Sequence, residues 1–188
     1  MEDHVVERDV CYRSLMGHAS GRGNDDALAR MHASWMTGNG ALPLCWGLSR
    51  ADYDALMNHH FPGYRCPVPP AAPGSADLLR REEVADLEAL MTGHRAGLSP
   101  SEIWMATIVA TACLASDHLW QDLGLWCRQD LSSLMQRNFP ALAEKNVHNM
   151  KWKKFLYKQL CVAEGVYVCR APSCEVCADY HNCFGPED

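Results

Sequence analysis

The sequence predicts an all-α protein, a helical bundle-like domain that ends in an irregular C-terminal cysteine-rich metal-binding loop. Three observations carry that expectation. Apolar residues recur at helical spacing along most of the chain, while alternating strand patterns are few. Recognisable start and stop residues flank these stretches. The periodicity then gives way, between residues 169 and 183, to four closely spaced cysteines.

Taken in order, residues 24–37 place Leu28, Met31, Trp35 and Met36 at helix spacing. Asn24 is a suitable N-cap, and Asp25 and Asp26 fall in the first turn, near the positive end of the helix. Residues 49–59 open with S-x-x-D, a weak capping box from Ser49 to Asp52. The stretch FPGYRCPVPPAAPGS, residues 61–75, holds five of the ten prolines and predicts a loop. It divides residues 1–75, a smaller helical part, from residues 76–188, a helical core with the cysteine motif. A chain of this length can also fold as one domain.

Beyond the loop, residues 76–92 carry Leu79, Val84, Leu87 and Leu90 partly on one side. Ser99-Pro100-Ser101-Glu102 is the best helix start in the chain. Ser99 can cap, Pro100 suits the first helical position, and Glu102 can reach back. The apolar run from Ile103 to Ala115 follows, with an expected end near Ser116 to His118. It is shorter than the roughly 20 residues a bilayer span needs, so a buried core helix is expected. Gly124 marks a turn, and residues 128–137 read as another helix. Residues 146–164 read as a long helix stopped by Gly165.

The 188 residues suffice for a core without covalent staples. A net charge of -6 argues against a nucleic-acid partner, which calls for a basic footprint. The charged start MEDHVVERDV lacks an export signal, and no membrane partner is expected. A cytoplasmic location follows as the expectation. In a reducing compartment ten cysteines point to metal rather than disulfides. Cys11, Cys45, Cys66, Cys113, Cys127 and Cys161 are scattered, and most are expected to pack as small hydrophobes.

Cys169, Cys174, Cys177 and Cys183 form the pattern C-x4-C-x2-C-x5-C. Thiolates are soft ligands that suit zinc or an iron–sulfur cluster. Structural zinc sites usually pair two short cysteine knuckles across a longer spacer, and only one C-x2-C is present. A compact loop around a cuboidal cluster fits better. Zinc, and a redox pair at Cys174 and Cys177, are the alternatives. Upstream, Lys151, Lys154 and Lys158 form one stripe of an amphipathic helix, with Trp152, Phe155, Leu156 and Leu160 on its apolar side. The stripe is either solvated surface or a docking place for an oxyanion or an acidic partner. His118 is a helix-end residue or an additional metal ligand. No catalytic residue is expected.

DHLWQDLGL, FPALAEKNVHNMKWKKFLYKQLC and CRAPSCEVCADYHNCFG together resemble the NifQ family of nitrogen-fixation proteins. The likeness is strongest over residues 103–185, and residues 1–75 add little to it. The resemblance implies biosynthesis of the iron–molybdenum cofactor of nitrogenase. It implies a molybdenum–iron–sulfur cluster on Cys169, Cys174, Cys177 and Cys183, with molybdenum taken from molybdate or a molybdenum donor. The implied partners are the cofactor assembly proteins, a scaffold and an iron protein. On this reading the chain is a carrier and not an enzyme. An iron–sulfur electron carrier and a zinc-stabilised adaptor are the rival classes. A helical DNA-repair glycosylase with a similar cysteine loop would need a basic face and a helix-hairpin-helix turn. Neither is seen.

Overall fold

A computed structural model describes residues 2–65, 78–163, 165 and 180–185, and every regular element among them is helical. The order is α1 (Glu2–Met16), α2 (Asp25–Met36), a 3-10 turn (Leu44–Gly47), α3 (Arg50–His60), α4 (Leu78–Gly93) and α5 (Ser101–Cys113). Then come α6 (Leu119–Asp122), α7 (Arg128–Asn138), α8 (Pro140–Ala143), α9 (Trp152–Ala163) and α10 (Tyr180–Cys183). The proline-rich stretch from Cys66 onward and most of the cysteine loop lie outside the described residues.

The start signals at Ser49 and Glu102 hold. Ser49 caps α3, its hydroxyl accepting from the Asp52 amide at 3.1 Å and donating to the Asp52 carboxylate at 2.6 Å. Glu102 reaches back over the start of α5, accepting from the amides of Gly97, Leu98 and Ser99 at 2.7, 2.8 and 3.0 Å. Asn24 stands at the N-cap of α2, but its side chain does not cap. It turns inward instead, donating to Ser101 Oγ at 3.1 Å and Asn138 Oδ1 at 2.7 Å, while Asn138 donates back at 3.0 Å. This seam joins α2, α5 and α7.

α5 is the central helix, with Met105, Ile108, Val109 and Ala110 fully buried. It contacts α4, α6, α3 and the 3-10 turn. It ends at Cys113, short of the expected Ser116 to His118, and its last turn is followed by bends. Among the described residues no helix is long and apolar enough to cross a membrane. Leu15, Leu28, Trp46, Tyr53 and Phe61 join one hydrophobic cluster with Leu87, Met105, Leu131 and Phe155. Residues on both sides of the proline-rich stretch therefore share a core. At the turn after α6, Gly124 has φ 74°, and a Cβ there would lie 2.9 Å from Ser34 Cβ. That turn needs glycine both for its backbone and for its close approach to α2.

The expected helix over residues 146–164 is shorter at its start. Asn149 adopts φ 54°, in the left-handed region, so the helix cannot begin before it. Asn146 brackets the turn, accepting from the Met150 amide at 2.8 Å and donating to the Met150 carbonyl at 2.9 Å. α9 then runs from Trp152 to Ala163, and Gly165 follows with φ 71°, as the stop signal predicted.

His32 lies fully buried among the rings of Trp35, Trp46 and Tyr64, with the Tyr53 hydroxyl 3.5 Å from Nδ1. Burial lowers its pKa from 6.5 to about 4. The folded protein thus resists a proton that the unfolded chain accepts. Stability is full above pH 6.5 and falls as the pH drops toward 4, by about 3 kcal/mol from this residue. Urea unfolding across that range should show the loss, and the His32→Phe variant should show a slope smaller by one proton. An unchanged slope would remove His32 from the account.

Candidate metal centre

Both ends of the cysteine segment meet one helix. The chain leaves α9 at its C-terminal end through Gly165 and returns as α10 beside its N-terminal end. Twelve residues make α9 roughly 18 Å long, so the two ends of the segment stand about that far apart.

The return is fixed by backbone and by packing. Lys151 is the residue whose carbonyl accepts the first hydrogen bond of α9, from Phe155 at 2.9 Å. Its amide donates to the Cys183 carbonyl at 2.8 Å. Its ammonium donates to the His181 carbonyl at 3.3 Å. The next residue, Phe184, is buried in the hydrophobic cluster. Cys183 itself is half-buried, packed against that cluster. The start of α9 is in turn held by Arg128, at the first position of α7. Its Nη2 donates to Asn149 O and Oδ1, each at 3.0 Å, and to Met150 O at 3.2 Å.

The lysines divide. Trp152, Phe155 and Leu156 are buried, and Leu160 packs against the core, so the apolar side is as the sequence predicted. Lys154 and Lys158 are exposed on the opposite side, and Lys151 sits half-buried against the returning segment. Lys153, which the spacing did not single out, points inward. Its ammonium donates to the Ala115 carbonyl at 2.8 Å and forms an ion pair with Asp122, itself 3% exposed. Four residues on, the Tyr157 hydroxyl donates to Glu83 of α4. These contacts fix α9 against α4, α5 and α6.

His118 takes the N-cap position of α6, and its amide donates to Gln121 Oε1 at 3.2 Å. Among the described residues no three His, Cys, Asp or Glu side chains converge on a metal position, so His118 joins no such group there. Cys169, Cys174 and Cys177 lie outside the described residues. Of the scattered cysteines, Cys45 and Cys113 are buried and Cys11 and Cys161 half-buried, while Cys127 is exposed. Burial pushes the Cys113 thiol up to about 12, so it stays protonated and inert. Cys66 falls outside the described residues.

The family model described as NifQ matches residues 27–185, a span that takes in all four cysteines of the motif. The chain belongs to the NifQ family. It is 47% identical to Protein NifQ of Azotobacter vinelandii, over 88% of this chain and 90% of that one. It is 39% identical to Protein NifQ of Rhodobacter capsulatus, over 80% and 81%, and 38% identical to Protein NifQ of Klebsiella pneumoniae, over 85% and 97%. No solved structure matches it. The match starts at residue 27, so α2 and α3 belong to what NifQ proteins share. The sequence likeness alone had given residues 1–75 little weight.

The Lys153–Asp122 pair assigns Lys153 to structure. Lys153→Met leaves the Asp122 carboxylate buried without its partner, and unfolding free energy should fall by about 3 kcal/mol. The double variant Lys153→Met, Asp122→Leu should recover most of the loss. Urea unfolding of the single and double variants measures both, and equal losses would contradict a buried pair.

Proposed function

We propose that the chain is a carrier that receives a molybdenum–iron–sulfur cluster and hands on molybdenum for nitrogenase iron–molybdenum cofactor assembly. Family membership supports the setting. The observation that carries the finer reading is the anchoring of Cys183 at the N-terminal end of α9, beside Lys151. A thiolate there suits soft metals, and the cluster is cargo to be held and released. Four thiolates on a small cluster concentrate negative charge. The positive end of α9 and the Lys151 ammonium offset part of it.

The reach of the chain is adequate. About 18 Å separates the ends of the segment, whereas the fifteen links from Gly165 to Tyr180 can extend to about 50 Å. The excess length allows Cys169, Cys174 and Cys177 to approach Cys183. On this reading Cys183 is the fixed corner, held from behind by Phe184. The function is delivery rather than catalytic turnover. Its partners are the cofactor assembly proteins and a source of molybdenum, and its place is the cytoplasm.

Protein isolated without oxygen from cells given molybdate should contain iron, acid-labile sulfide and molybdenum. A variant with alanine at Cys169, Cys174, Cys177 and Cys183 should contain none of them. Iron and sulfide without molybdenum would favour an electron carrier, and zinc alone a structural adaptor. Replacing Lys151, Lys154 and Lys158 together by glutamine should lower molybdenum loading or transfer several-fold while iron content persists. Undiminished loading and transfer would leave the stripe as solvated surface.

A further inference from the structure

Several cations of the body face carboxylates: Arg30 pairs with Asp26 and Asp130, Arg50 with Asp54, and Lys153 with Asp122. Arg22 and Arg137 are different. Arg22 Nε donates to the His59 carbonyl at 2.9 Å, and Arg137 Nη1 donates to the Gly23 carbonyl. Among the described residues neither guanidinium has a carboxylate within ion-pair distance. Both line one cavity of about 440 Å³.

Part of the wall of that cavity is polar and set in advance, beside the apolar Leu98 and Pro100. Asn24, Asn138 and Ser101 are almost fully buried and hold one another through the seam between α2, α5 and α7. Ser99 Oγ lies 2.9 Å from Ser101 Oγ and completes it. The one carboxylate in the lining, Glu102, already accepts from three backbone amides, which offset its charge. Asp25, close by, accepts from the Arg22 amide at 2.7 Å and is 2.6 Å from His60 Nδ1. The lining itself carries two guanidiniums and one carboxylate, an excess of one positive charge, with the Asp25 carboxylate behind it, in a chain whose net charge is -6.

We propose that this cavity binds a tetrahedral oxyanion, either free in solution or as the phosphate of a small phosphorylated molecule. Planar guanidinium forks match the oxygen spacing of such groups, and of the paired Ser99 and Ser101 hydroxyls the one that does not donate to the other offers a donor beside them. The volume suits an oxyanion with or without a modest organic body. The site is separate from the cysteine loop. Arg137 lies nine residues along α7 from Arg128, hence roughly 14 Å from the end that clamps the start of α9. The proposal stands whether or not the chain carries a cluster.

Calorimetric titration of the full chain with molybdate, inorganic phosphate and adenosine monophosphate tests it. One-to-one binding is expected, weakened about tenfold or more by Arg22→Gln and by Arg137→Gln. Arg137→Lys, which keeps the charge but loses the fork, should fall between. The triple lysine variant of the stripe should bind as the parent does. Tight binding of the inorganic ions marks the free oxyanion as ligand, and binding of the nucleotide alone marks the phosphate ester. Should Arg137→Gln unfold, Arg22→Gln still reads the site. Absence of binding below about 10 mM, or binding indifferent to Arg22→Gln, overturns the proposal. Failure here with metal content intact would leave the carrier reading standing. Loss of metal with anion binding intact would do the reverse.

Discussion

The position of α9 is the constraint on which the cysteine site depends, because both ends of that segment attach to this helix. Three unlike interactions set it. Trp152, Phe155 and Leu156 bury one side. Lys153 carries its charge inward to Asp122 and the Ala115 carbonyl. Arg128 clamps the turn ahead of Lys151. A buried ion pair is a poor source of net stability, since desolvation offsets most of its attraction. Its value here is positional. Removing either partner strands a charge, so sliding or rotation of α9 is penalised more steeply than apolar packing alone would manage. The backbone bond from Lys151 to Cys183 inherits that precision.

The polar interior does comparable work between the two sides of the proline-rich stretch. Asn24 and Asn138 exchange hydrogen bonds out of water, where each bond lost would leave an unsatisfied amide. Asp25 at 2.6 Å from His60 ties α2 to the end of α3 in the same way. The shared hydrophobic cluster, which takes in Leu28, Met31, Tyr53 and Phe61, accords with a family match that begins at residue 27 rather than after the prolines. A folded core that includes α2 and α3 cannot be reduced to the cysteine-bearing half.

Much of this was legible in the sequence where the signal was local. Ser49, Glu102, Gly124 and Gly165 act on their own neighbours, and each stands where its chemistry predicts, whereas Pro100, expected at the first helical position, stands at the N-cap of α5 and leaves Ser99 one residue outside it. The misses are nonlocal. Asn24 reads as a cap, yet its amide is drawn to Ser101 and Asn138, more than 70 residues away. Residues 146–151 look helical by composition, and only the left-handed Asn149 shows that the helix starts later. α1 differs from these, its sequence carrying no helical stripe because charges interrupt its apolar residues. At the site, four lysines in eight residues look alike on paper. The ion pair with Asp122 separates Lys153 from Lys151, Lys154 and Lys158. The arginine pair in the cavity left no sequence signal, since Arg22 and Arg137 are 115 positions apart.

The lysine arrangement also limits what each charge can do. Lys154 and Lys158 are exposed, and at physiological ionic strength their field fades over about 8 Å. They can act on a partner or an anion only near contact, chiefly by speeding encounter. Lys151 differs because it is half-buried and bonded to the segment that carries Cys183. Screening weakens a partly covered charge less, so its influence on a thiolate cluster would outlast added salt. On the proposed carrier reading, holding the cargo and meeting the partner would therefore fall to different lysines of one stripe. A carrier needs these two properties to be separable, since whatever tightens its grip on the cargo otherwise slows its release.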